Sequence, residues 1–134
     1  MPISRFLSKA APIAARILLG LLFVVTGLNG FLDFLPRPTA PMPEGAAAFA
    51  GAMMKTGYLM QLVAGTQLAA GLMLLVGRFV PLALTLLAPV LVNIICFHVF
   101  LAPSGLGPGV LALVLELYLV WTRRAAFGPV IAFR

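Results

Sequence analysis

Hydrophobic positions in this chain fill long unbroken runs rather than alternating or forming a narrow stripe. The first run covers Pro12 to Phe34 and stops before "LPRPTAPMPEG". The second covers Gly57 to Val76 and ends at "GRFVP", and the third covers Phe79 to Leu101 and ends at "APSGLGPG". The fourth covers Leu106 to Trp121 and ends at "TRR". Every break holds Pro, Gly or Arg, residues that stop helices or resist entering hydrocarbon. A helix of about 20 residues crosses the roughly 30 Å apolar core of a bilayer. Lipid offers no partner to an exposed backbone group, and the runs lack the alternation of barrel strands, so they are read as helices. The expected fold is an all-α integral membrane protein, a four-transmembrane-helix bundle in a single membrane domain. Its helices are expected at 12–34, 57–76, 79–101 and 106–122, with an outer loop at 35–56. The fourth run is the shortest, and "AAFGPVIAF" follows it as a candidate interfacial tail.

Composition strengthens the membrane reading. Hydrophobic residues make up 63% of the 134 positions and charged residues 9%, with a mean hydropathy of +1.15. A soluble domain carries about 25% charged residues, so this chain has too few polar groups to cover a water-facing surface. Its net charge is +6, but the basic residues sit singly beside apolar runs and form no stripe, which excludes nucleic-acid binding. Their distribution instead predicts topology. With the N-terminus inside, Arg5, Lys9, Arg16, Arg78, Arg123, Arg124 and Arg134 are cytoplasmic, and only Arg37 and Lys55 are outside. That bias predicts cytoplasmic N- and C-termini. Basic residues before "ILLGLLFVV" also match the start of a secretory signal, yet the run continues to Phe34 without a convincing cleavage site, so an uncleaved span is expected. Cys96 is the only cysteine and lies in an apolar run, so it reads as a small hydrophobe.

The segment before the second span, Asp33 to Thr56, holds four prolines and "EGAAAFAGAMM". Phe49, Met53 and Met54 are either part of a plain loop or of a short helix lying on the membrane or capping the bundle. Gly20, Gly27 and Gly30 in the first span, with Gly65 and Gly71 in the second, permit close helix packing. Pro89 removes the backbone bond to the Thr85 carbonyl and predicts a kink in the third span. Trp121 reads as an interfacial anchor.

Polar residues inside these runs are the candidate site. Counted from the outer ends at about 1.5 Å per residue, Asn29, Gln61 and His98 lie roughly 5–8 Å deep, and Gln67, Asn93 and Glu116 roughly 12–15 Å deep. Two polar layers are thus expected to converge inside the bundle. Glu116 is the sharpest candidate, because an ionised carboxylate there costs several kcal/mol. As the neutral acid it is expected to donate to Gln67 or Asn93 and to accept from the other, either to fix packing or to handle a proton or ligand. His98 reads either as a histidine bonded to a loop carbonyl or as a contact to a quinone or other polar headgroup. One histidine and no clustered donors argue against haem or metal, and no flavin or Fe–S motif is present.

Three stretches, "ARILLGLLFVVTGLNGF", "GLMLLVGRFVPLALTLLAPVLVNIICFHVFLAP" and the last span with Glu116, resemble the DoxX family over nearly the whole chain. "GRFVPLALTLLAPVLVNIICFH" is the most distinctive part. The resemblance implies a four-helix protein of the bacterial inner (plasma) membrane. Family members are linked to thiosulfate:quinone oxidoreductase and to membrane complexes handling oxidative stress. Relatives commonly carry an acid in the second helix where this chain has Gln67, which leaves Glu116 as its buried acid. Whether the chain is itself an enzyme stays open. The first functional expectation is a subunit of a quinone-linked oxidoreductase complex, with quinone as the one candidate cofactor. The second is a non-catalytic scaffold in a larger assembly, with other membrane subunits or further copies of itself as partners. A small transporter or channel ranks third, since four helices enclose little volume and the inner half lacks a polar path.

Overall fold

The computed structural model describes residues 2–133, so Arg134, assigned above to the cytoplasmic set, lies outside the described residues. The described residues form helices and connecting turns with no strand. Helix α1 (Pro2–Leu32) begins ten residues upstream of the apolar run, because the residues before Pro12 contain no other breaker and continue the helix. At its far end Asp33 takes a left-handed φ of 47°, and the Asn29 side chain accepts a 2.8 Å hydrogen bond from the Leu35 amide. That conformation suits a short polar residue better than a bulky one. An exposed ion pair joins Asp33 to Arg37 one turn on.

The expected loop contains a real helix, α2 (Glu44–Lys55). Its Ala46 is fully buried, and the Phe49 ring lies 5.6 Å from that of Phe97. Helix α3 (Leu59–Val76) stops at Gly77, whose φ of 77° is the left-handed conformation that glycine tolerates. Met73 closes the turn by accepting from the amides of Gly77 and Arg78 at 2.9 and 3.2 Å. Helix α4 (Val80–Phe100) follows at once, with Pro81 in its first turn and Pro89 inside it. A 3-10 turn at Pro103–Gly105 leads to α5 (Leu106–Thr122), and α6 (Arg124–Ile131) completes the described chain.

Four of these segments are long and apolar enough to cross a membrane: α1, α3, α4, and α5 together with the turn before it. They form a closed ring in which α1 and α4 each pack against both α3 and α5. Four antiparallel traverses put both chain ends at one end of the bundle, called here the terminal end. Helix α2 and the Pro103–Gly105 turn lie at the opposite, loop end. The interior is filled by Leu19, Phe23, Leu74, Leu84, Leu87, Leu91 and Leu119, together with Ala15, Ala70, Ala83 and Ala112. Outward positions are apolar too: Leu18, Leu21, Leu62, Leu72, Leu82, Val92, Val114 and Leu117 are exposed around all four spans. A surface of that kind is stable only in hydrocarbon.

Candidate functional site

The sequence offered six polar candidates, and the ring of helices separates them. Gln67 on α3 and His98 on α4 line one cavity of about 340 Å³ near the loop end. Its remaining walls are Leu22, Phe23 and Thr26 from α1, Leu91 and Ile94 from α4, and Gly105, Pro108, Gly109 and Ala112 from the turn and α5. Among these residues only Thr26 and Pro108 are exposed. The mouth of the cavity therefore lies between α1 and α5, on the flank of the bundle.

His98 is held in place by two contacts. Its Nδ1 lies 3.0 Å from the Ala102 carbonyl oxygen. A carbonyl only accepts, so Nδ1 carries the hydrogen, and Nε2 is the ring nitrogen turned away from that bond. Gly105 packs against the ring so closely that an added Cβ would sit 2.6 Å from His98 Cε1. Nε2 has no hydrogen-bond partner among the described residues, and neither has the Gln67 side chain. Thr26 donates to the Phe23 carbonyl over 3.4 Å, which leaves its oxygen free to accept.

Glu116 lies one helical turn beyond Ala112, a residue of the cavity wall. It is 3% exposed, and neither carboxyl oxygen has a hydrogen-bond partner among the described residues. The expected bond to Gln67 or Asn93 does not form. Asn93 is exposed and lines a separate groove of about 360 Å³ with Phe49, Met53, Leu59, Val63 and Pro89, between α2, α3 and α4. Asn93 and His98 are five residues apart, about 140° around the helix, so one face cannot carry both. Asn29 is occupied in ending α1, and Gln61 is exposed on the first turn of α3. The two layers thus reduce to one cavity containing Gln67 and His98, with Glu116 buried behind it.

Two residues escaped the sequence reading. Thr26 bonds to its own helix backbone, as helical threonines commonly do, and it lies three residues from Phe23 and so shares its side of the helix. Arg16 counted only as a positive charge. Its guanidinium reaches across to the end of α3 and donates to the Leu74 carbonyl at 2.5 Å and the Leu75 carbonyl at 3.4 Å, lying against Gly77. No group of three or more His, Cys, Asp or Glu that could hold a metal ion occurs among the described residues.

These features define a multi-pass membrane protein with a side-opening cavity in a four-helix bundle. The model of the DoxX family matches residues 11–102, more than half of the chain, and the chain belongs to that family. No curated protein and no solved structure matches it.

Proposed function

We propose that this chain is the quinone-binding membrane subunit of an oxidoreductase complex in the bacterial inner membrane, with both termini cytoplasmic. The observation that carries the reading is the hydrogen-bond polarity of the cavity. In the Nδ1–H tautomer of His98, Nε2 accepts, as Thr26 Oγ1 does, and the Gln67 amide is free to donate and accept. An apolar ring bearing hydroxyl groups satisfies that set, whereas a ring bearing only carbonyls leaves both acceptors unpaired. An acceptor that meets no donor inside the cavity loses its hydrogen bond without return. The cavity therefore favours the reduced quinol form. The chain has no flavin, Fe–S or haem motif, so electrons pass between the bound quinol and a partner subunit.

The test is binding of a short-chain quinol and of its quinone to the purified protein in nanodiscs, by calorimetry or intrinsic fluorescence. Tighter binding of the quinol, lost in His98→Phe and weakened in Gln67→Leu, supports the proposal. Absence of binding by either form sinks it.

A second reading, a scaffold within a larger assembly, draws on Asn93. Its amide is exposed in the groove between α2, α3 and α4 and has no hydrogen-bond partner among the described residues, and asparagines in apolar surroundings associate helices by bonding across an interface. Loss of a co-purifying subunit in Asn93→Leu, with quinol binding unchanged, would favour it.

A further inference from the structure

Helix α1 is longer than the bundle it belongs to. Arg16 meets the last carbonyls of α3 at the terminal end, so residues 2–14 project roughly 20 Å beyond that level. Residues 2–9 of this arm are exposed, Ala10 and Pro12 are half-buried, and the arm is strongly two-sided. Ile3, Phe6, Leu7 and Ala10 recur at helical spacing and cover roughly 100° of one face, while Ser4, Arg5, Ser8 and Lys9 occupy the other. The apolar face is bare: Ile3 is 72% exposed, Phe6 70% and Leu7 57%.

Charge at this end is one-sided as well. Arg5, Lys9, Arg16, Arg78, Arg123 and Arg124 all belong to it. The three acids lie elsewhere: Asp33 and Glu44 at the loop end, Glu116 buried in α5. Arg16 is occupied by the α3 carbonyls, and Arg124 by the Trp121 carbonyl and ring. The side chains of Arg5 and Lys9 have no hydrogen-bond or ion-pair partner among the described residues. Between arm and bundle stands Pro12, which has no N–H to bond the Ser8 carbonyl, so the helix bends most easily there.

We propose that residues 2–11 bend at Pro12 and lie in the plane of an anionic membrane surface. Ile3, Phe6 and Leu7 enter the boundary between headgroups and acyl chains, and Arg5 and Lys9 pair with lipid phosphates. The two-sided composition, basic on one face and Phe and Leu on the other, is that of a helix that rests on a membrane, and the missing counterions are supplied by anionic headgroups. The proposal stands apart from the quinol cavity, which lies at the other end of the bundle.

The test uses the full chain with Cys96→Ala, carrying a single environment-sensitive fluorophore at Phe6→Cys or Ser8→Cys. The protein is placed in nanodiscs of phosphatidylcholine alone or mixed with phosphatidylglycerol. In the mixed discs, lipid-borne nitroxide is expected to quench the probe at position 6 several-fold more than the probe at 8. Iodide in water should show the reverse order. Arg5→Glu with Lys9→Glu, or discs of phosphatidylcholine alone, should abolish the difference. Equal quenching by iodide at both positions in mixed discs overturns the proposal, as does protection of position 6 from both quenchers, the mark of a protein partner. Lipid quenching at position 6 that ignores headgroup charge overturns the anionic part.

Discussion

Gly20 and Gly71 meet backbone to backbone: a Cβ built on either one would lie 3.0 Å from the carbonyl oxygen of the other. The contact is reciprocal, so neither helix can yield without moving the other. Gly27 continues it one step along α1, where a Cβ would come within 2.8 Å of the Ala64 oxygen and 2.7 Å of the Leu68 nitrogen. Lipid removes the hydrophobic drive between helices, so this close fit is what joins α1 to α3. Gly71→Leu and Gly27→Val are expected to destabilise the bundle by about 1–3 kcal/mol, as overpacking does. Thermal unfolding in detergent checks this, with Gly107→Ala as control, since nothing lies within 4 Å of that position.

Arg16 supplies a charged cap to α3. Its hydrogen bonds to the Leu74 and Leu75 carbonyls are expected to contribute about 1.5–3 kcal/mol, the range for bonds to charged groups. Arg16→Ala should lower the unfolding temperature accordingly, and Arg16→Lys should restore part of the loss. Stability of Arg16→Ala equal to that of the unsubstituted protein would show that the cap contributes nothing.

Gly105 and His98 form a coupled pair. Gly105→Ala forces the imidazole aside and strains its bond to the Ala102 carbonyl. If the ring orients the ligand, quinol affinity should fall about tenfold, equivalent to 1.4 kcal/mol. Quinone affinity should change less. A titration of both forms against the variant reads the difference directly.

Glu116 gives a prediction of the opposite sign. A buried group without a partner costs about 1–3 kcal/mol, and an apolar residue of similar size removes that cost. Glu116→Leu is therefore expected to raise thermal stability. A fall would mean that the carboxyl bonds water or ligand in the membrane, which would make it part of the working site.

The four spans were legible because lipid leaves the backbone few options: apolar runs bounded by Pro, Gly and Arg become helices. The tight positions Gly20, Gly27 and Gly71 were legible for a related reason, since small residues matter most where packing is the main force. Depth could be counted along each helix, although the counting put His98 and Gln67 in different layers and the structure brings both to one cavity. Facing could not. It depends on how the ring of helices is rotated, and that turned Asn93 outward and Gln61 to the surface. Asn29 shows another limit, because its amide serves a chain reversal that begins only after the helix ends. Arg16 shows a third, since its partners are carbonyls 58 and 59 residues away. The two-sided character of residues 3–10 was present in the spacing but lay outside the apolar runs.

The cavity mouth between Thr26 and Pro108 changes how occupancy should be reckoned. On the proposed reading, a quinol arriving there does so by diffusing sideways in two dimensions, already stripped of water. Its driving concentration is the mole fraction dissolved in the membrane, which for a greasy ring system exceeds the aqueous value by orders of magnitude. A pocket with modest intrinsic grip can then stay filled, and its occupancy follows how fast neighbours exchange within the leaflet.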